Sequence, residues 1–178
     1  MTYILGSRCK DGVVLISDRK IIFDGFNLEY RDKLFIDFYP IVMGAAGSVS
    51  LFDKFRVSAL STANGLIKGG SGDQPIVTET YVTEIETITG ELNRRYKLVQ
   101  DPFEVLIAAQ TQDRGAILYH VYPEGFAEIV PKYRAIGHGE PFGSIFLKNL
   151  WRPDLNMTQV AQIGYFISNY KIIVMGKS

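Results

Sequence analysis

A lone cysteine, Cys9, leaves the chain unable to close an internal disulfide and suits a reducing compartment, so a cytoplasmic protein is expected. Cys9 falls in a strand-like run and reads as a small buried hydrophobe rather than a nucleophile. Histidine is nearly as scarce: His120 lies in an alternating strand-like run and reads as structural, and His138 lies in a loop. Two histidines and one cysteine are too few for the usual tetrahedral ligand sets, so no metal site is expected. Neither sign of charge is in excess. Nineteen Lys and Arg balance nineteen Asp and Glu, which argues against a nucleic-acid partner or an anionic membrane surface. No apolar run approaches the roughly 20 residues that cross a bilayer, and the start lacks the basic and apolar regions of a signal peptide. Gly69-Gly70-Ser71-Gly72 lacks the Lys-Ser/Thr ending and the preceding strand of a phosphate-cradling loop. No cofactor is expected on this chain. Solenoid-length repeats and low-complexity tracts are missing too.

What is present suits one domain over residues 1–178, with 47% hydrophobic residues to fill its core. Two apolar stretches flank Lys10-Asp11-Gly12, a hairpin signal. Pro40-Ile41-Val42-Met43-Gly44-Ala45-Ala46-Gly47 reads as a strand buried on both faces. The period then changes. Phe52, Phe55, Ala59, Ala63 and Leu66 mark one helical stripe; after a loop of Gly69-Gly70-Ser71-Gly72-Asp73-Gln74-Pro75, Tyr81, Ile85, Ile88, Leu92 and Tyr96 mark a second. Strands return over 103–111, 116–122 and 126–135, separated by Asp113-Arg114-Gly115 and Pro123-Glu124-Gly125. A third helix starts near Pro141 with Phe142, Ile145, Phe146 and Leu150 inward. A fourth follows Asn156, which forms a capping box with Gln159, and turns Val160, Ile163, Gly164 and Ile167 inward. Ile172-Ile173-Val174-Met175 reads as a last strand. Strands, two helices, strands, two helices predict an α+β fold: a four-layer αββα sandwich of two antiparallel sheets flanked by helix pairs.

The N-terminus offers a specific chemistry. Thr2 follows the initiator Met1, where an aminopeptidase can expose it. A threonine hydroxyl needs a base to become a nucleophile, and the free α-amine of the same residue can serve. The amine's ordinary pKa of about 7.7–8.0 suits a general base near neutral pH. A nearby ammonium lowers that value and a carboxylate holds the ammonium in place. Thr2, Lys33 and Asp18 supply the three roles. Set against this, many chains begin Met-Thr, and most Asp and Lys residues are solvated surface charges.

The run from Thr2 to Asp18, with Gly6, Lys10-Asp11-Gly12-Val13-Val14-Leu15 and Asp18-Arg19-Lys20, resembles the mature start of proteasome β-type subunits. The similar bacterial peptidase that works with an unfoldase ATPase also fits. Asp32-Lys33-Leu34-Phe35, Ala46-Gly47-Ser48-Val49 and Ile136-Gly137-His138-Gly139-Glu140-Pro141-Phe142 match in the same order, so the resemblance spans most of the chain. It implies an N-terminal nucleophile hydrolase of the threonine type, with the αββα sandwich as its fold. Thr2 inherits the nucleophile's role, Asp18 and Lys33 the acid and lysine pair, and Gly47 the N–H that helps form an oxyanion hole. The resemblance also implies a protein or peptide substrate, stacked homo- or hetero-oligomeric rings and a separate unfoldase ATPase as partner. Ile21, Ile22, Arg31, Ala45 and Val49 match positions that set specificity. Ile22 stands where the family usually has threonine. Ile21 and Ile22 either line the cleft or cover a hydrophobic edge or a subunit contact.

Some positions depart from the pattern. His138 replaces a serine of the catalytic hydrogen-bonding network; it either takes over that role or breaks the network. Glu140 stands where a small polar residue is usual. No counterpart is found for the network's aspartate between the fourth helix and the last strand, because Tyr170-Lys171 leads straight into Ile172. An intact Met1 would block the α-amine. These departures motivate a second reading, a catalytically silent ring subunit; a third, a hydrolase or ligase of the same fold acting on a small amide, follows because the nucleophile chemistry is shared and fold does not fix substrate.

Overall fold

The computed structural model describes residues 3–23, 27–30, 32–38, 40–69, 78–96, 102–111, 114–167 and 171–176. In chain order the elements are β1 (Ile4–Cys9), β2 (Gly12–Ser17), β3 (Lys20–Phe23), β4 (Asn27–Tyr30), β5 (Leu34–Phe38), β6 (Ile41–Ala46), α1 (Val49–Gly69) and α2 (Thr78–Arg95). The second half contributes β7 (Glu104–Thr111), β8 (Gly115–Val121), β9 (Ala127–Ile129), β10 (Tyr133–Ile136), α3 (Glu140–Leu150), α4 (Met157–Ile167) and β11 (Lys171–Gly176).

The hairpin signal at Lys10-Asp11-Gly12 becomes a two-residue turn, with Cys9 opposite Gly12 across β1 and β2. This hairpin is the middle of an antiparallel sheet ordered β10-β1-β2-β11. A second antiparallel sheet runs β5-β6-β7-β8-β9, and β3 and β4 pair as a separate ribbon. Alternation decides how the two large sheets stack, because successive strand residues point to opposite faces. On β7, Val105, Ile107 and Ala109 pack with Phe55, Tyr81 and Ile85 of α1 and α2, whereas Leu106 and Ala108 pack with Ile4, Val13 and Leu15 of the other sheet. On β2, Val13 and Leu15 face that intersheet space, whereas Val14 and Ile16 pack with Leu147 of α3 and Val160 of α4. Three apolar interlayers therefore separate four layers, α1/α2, sheet, sheet, α3/α4. Each fully buried Leu or Ile contributes about 1.5–3 kcal/mol, so both faces of β2 and β7 are committed.

The stripe of α1 sits as the spacing predicts: Phe55, Ala59 and Ala63 are buried, and Phe52 and Leu66 flank them. The capping box of α4 also forms, with the Asn156 N–H donating to Gln159 Oε1 at 2.9 Å and the Gln159 N–H donating to Asn156 Oδ1 at 2.8 Å. Asp113 and residues 70–75 of the expected turns lie outside the described residues.

Three expectations are corrected. The expected strand over 126–135 is two strands serving different sheets: β9 pairs with β8, and β10 pairs with β1. Pro131, which has no N–H to give a ladder, marks the handover, between a Val130 N–H donating to Leu118 O at 2.8 Å and an Arg8 N–H donating to Lys132 O at 2.8 Å. Tyr96 lies beyond the end of α2, where the Lys54 ammonium stands 4.1 Å from its ring centroid, rather than in the core stripe. The inner face of α3 is also rotated. Gly143 and Leu147 turn inward, while Phe142 and Ile145 are 66% and 60% exposed and Leu150 is exposed as well. The cause is close contact with Tyr3: a Cβ on Gly143 would lie 2.2 Å from Tyr3 Oη and 2.4 Å from Cε2, so only glycine admits the ring.

That contact makes a test. Gly143→Ala is expected to lose about 1–3 kcal/mol in chemical denaturation, as overpacked positions do, whereas Ile145→Ala is expected to stay within about 0.5 kcal/mol of the parent. The reverse order would put the expected face, not the observed one, against the sheet.

Candidate active site

Two strand ends meet across the sandwich. β2 ends at Ser17 and is followed by Asp18; β5 begins at Leu34 and is preceded by Lys33. The strands belong to different sheets, yet Lys33 Nζ lies 2.6 Å from Asp18 Oδ1, with the two side chains only 4% and 9% exposed. The same Asp18 oxygen accepts the backbone N–H of Tyr3 at 2.8 Å, and the Asp18 N–H donates to Tyr3 O at 3.1 Å. One carboxylate therefore holds both an ammonium and the first described peptide of the chain. Beside it, Arg19 Nε reaches Asp32 Oδ1 at 3.0 Å with both side chains about half exposed, a pair worth about 0–1 kcal/mol. Two pairs, 18 with 33 and 19 with 32, close the stem from which β3 and β4 extend, with Lys20 opposite Tyr30.

Burial lowers the pKa of Lys33 below the ordinary lysine value; the hydrogen bond and charge of Asp18 act in the opposite direction. The site thus contains a cation that yields its proton more readily than a surface lysine. Its backbone is fixed too, since Lys33 O accepts the Ala45 N–H at 3.4 Å. Gly47 follows β6 and precedes α1 by one residue, Ser48. Its φ of +127° lies where L side chains rarely go, and a Cβ would stand 2.7 Å from Pro102 O and 2.8 Å from Phe103 Cα. Glycine is required there by conformation and by space. The turn stands at the N-terminal end of a 21-residue helix, whose dipole favours negative charge.

The structure thus brings Asp18 and Lys33 together and ties Ala45 to Lys33. Thr2 and Arg31 lie outside the described residues. Ile21 and Ile22 stand on β3, opposite Glu29 and Leu28. Ala45 is buried in the apolar layer beneath α1 and α2, and Val49 is half-buried as the first residue of α1. His138 is exposed, and Glu140 is half-buried at the start of α3. Residues 168–170, between α4 and β11, where the network's aspartate has no counterpart, lie outside the described residues; β11 begins at Lys171. Cys9, half-buried, has its thiol pKa pushed up to about 12, first by burial and then by Asp11. It stays a protonated thiol at neutral pH, which suits a packing role.

Sequence reasoning missed two residues here. Tyr3 carries the N–H held by Asp18, and no side-chain pattern announces a backbone role. Glu104 receives the Gly137 N–H on Oε1 at 3.1 Å and faces His120 Nε2 from Oε2 at 2.9 Å. A signal for Glu104 existed: it shares a strand face with Leu106 and Ala108, where an apolar residue is expected.

Asp18→Asn tests the electrostatics of this site. It leaves the buried Lys33 ammonium without its carboxylate, and is expected to cost about 3–5 kcal/mol at neutral pH in equilibrium denaturation. The loss should shrink at high pH. With its folded pKa lowered, Lys33 sheds its proton in the folded state before the unfolded chain does at about 10.4, so its contribution to stability rises with pH across that window. A loss that stays constant through the window would contradict the assignment.

Comparison with known proteins adds the family. No curated protein matches the chain. The family model described as Proteasome subunit matches residues 2–166, from the residue before Tyr3 to the penultimate residue of α4. With its two antiparallel sheets, its paired helices and a match across nearly its whole length, the chain belongs to the proteasome subunit family.

Proposed function

We propose that this chain is a threonine-type endopeptidase, a β-like core subunit of a proteasome-like particle that cleaves proteins or peptides. The observation that carries the reading is the Asp18 carboxylate, which holds Lys33 and the Tyr3 N–H at once, one peptide bond after Thr2. After removal of Met1, the Thr2 hydroxyl oxygen bonds to the scissile carbonyl carbon. Its proton passes to the α-amine, directly or through a water. The Lys33 ammonium, held by Asp18, favours the neutral amine and the ionised hydroxyl. The carbonyl oxygen takes up negative charge, which the Gly47 N–H and the start of α1 stabilise. Collapse of this intermediate breaks the C–N bond, the leaving amine takes the proton, and water then hydrolyses the Thr2 ester. Ile21, Ile22, Ala45 and Val49 would shape the substrate cleft, with the β3 backbone available for pairing.

Membership of the family implies assembly into oligomeric rings. The exposed Phe142 and Ile145, three residues apart on one face of α3, suit a contact between subunits, homo- or hetero-oligomeric. A separate unfoldase ATPase would deliver folded substrates.

His138 and Glu140 motivate a second reading, a catalytically silent ring subunit that keeps the fold. Peptide hydrolysis separates the two. Lys33→Ala is expected to reduce turnover by roughly 10²–10⁴-fold, and Thr2→Ala to abolish it, while circular dichroism shows both variants folded. Equal hydrolysis by the parent, Lys33→Ala and Thr2→Ala would place any activity away from Thr2. No hydrolysis by the processed, assembled parent would favour the silent subunit.

A further inference from the structure

A second charged group, half-buried, is linked to Tyr3 through the turn before α3. Glu104 opens β7 opposite Ala46, the residue before Gly47. Its carboxylate is bonded on both oxygens: Oε1 to the Gly137 N–H at 3.1 Å and Oε2 to His120 Nε2 at 2.9 Å. Gly137 has φ +83°, a turn conformation, and its carbonyl accepts the Glu140 N–H at 2.9 Å, which starts α3. Two residues on, the turn presses against the N-terminal segment. A Cβ on Gly139 would stand 2.7 Å from Tyr3 Cδ2 and 2.8 Å from Tyr3 Cβ. Tyr3 in turn gives its N–H to Asp18.

His120 completes the carboxylate. Its side chain is 1% exposed and lies against the Tyr122 ring at 4.0 Å. A carboxylate only accepts, so Nε2 carries the proton of this bond. Among the described residues Nδ1 has no hydrogen-bond partner. An apolar residue would avoid that orphan atom but would take from the half-buried Glu104 Oε2 the donor it now has. The histidine thus serves the carboxylate, and the carboxylate serves the turn.

We propose that Glu104 and His120 form a positioning clamp that fixes the 137–139 turn against Tyr3, so that the N-terminal segment is held from the turn as well as from Asp18. The proposal rests on the peptidase reading for its effect on turnover, but not for its effect on the turn. Neither residue is placed in contact with substrate; both act through Gly137 and Tyr3.

The clamp is tested with Glu104→Ala and Glu104→Gln in the assembled protein, read by amide hydrogen exchange at Gly137, by the ¹⁵N shifts of the His120 ring, and by kcat and KM for a peptide. Glu104→Ala removes a charge-assisted bond and should speed Gly137 exchange by roughly 10–100-fold, with kcat falling and KM holding. Glu104→Gln should rescue both, because its carbonyl still accepts from Gly137. Its NH₂ now donates to His120, so the ring must change to the Nδ1–H tautomer. Gly137 exchange unchanged in Glu104→Ala overturns the clamp, as does a His120 ring that keeps its Nε2 proton in Glu104→Gln. The tautomer readout decides the matter alone if Glu104→Ala does not fold. A parent with the expected exchange and tautomer responses but no hydrolysis supports the clamp and refutes the peptidase reading. A parent that hydrolyses peptides through Thr2, with kcat untouched in Glu104→Ala, overturns the clamp's part in turnover.

Discussion

The ion pair of Asp18 with Lys33 is the contact on which the site depends, because it joins the two sheets at one end of the sandwich. Withdrawing two charges from water costs several kcal/mol per ion, and their attraction offsets this only with good geometry and further hydrogen bonds. Here both conditions are met: the separation is 2.6 Å and the same oxygen also accepts the Tyr3 N–H. Apolar residues of similar volume at such positions are often neutral or stabilising. Stability alone is therefore a weak reason for a buried lysine and aspartate to sit there, and the proposed role in proton chemistry is a better one. The lowered pKa of Lys33 agrees in direction with that role.

Around this pair, close backbone approach is made available by glycine. Gly47 takes a left-handed φ and packs on the 102–103 backbone; Gly139 and Gly143 receive the Tyr3 ring. Each would clash if it carried a Cβ. Tyr3 is thus held by hydrogen bonds to Asp18 and by van der Waals contact with the 137–139 turn and the start of α3. If Thr2 is the proposed nucleophile, fixing the next residue, Tyr3, lowers the entropic cost of ordering it.

Much of the fold was legible because its signals are local. The turn at Lys10-Asp11, the small-residue strand before Gly47, the α1 stripe and the capping box at Asn156 all depend on residues within a few positions of one another. The grouping of Asp18 with Lys33 rests on residue chemistry first and a resemblance second, and the structure brings those two side chains together. Errors arose where a distant residue decides. In α3 the large apolar side chains spread over more than half the helix circumference, with Leu147 at one edge, so periodicity does not fix which part faces inward; the Tyr3 ring decides it by demanding Gly143. The run over 126–135 is β-prone throughout, and only the competition of two sheets for its halves divides it at Pro131. Glu104 could have been flagged as a charge on an apolar face, but its partners lie 16 and 33 positions away.

The central claim is that an exposed Thr2, served by Lys33, is the nucleophile. Reaction with a peptide epoxyketone, which bonds to both the hydroxyl and the α-amine of an N-terminal threonine, tests it most directly when followed by intact-mass measurement and peptide mapping. The account predicts one adduct per chain, mapped to Thr2 in protein that has lost Met1, and a much slower reaction in Lys33→Ala. Complete retention of Met1 in the natively expressed, assembled protein, or processed chains that hydrolyse peptides while Thr2 stays unmodified, would contradict it.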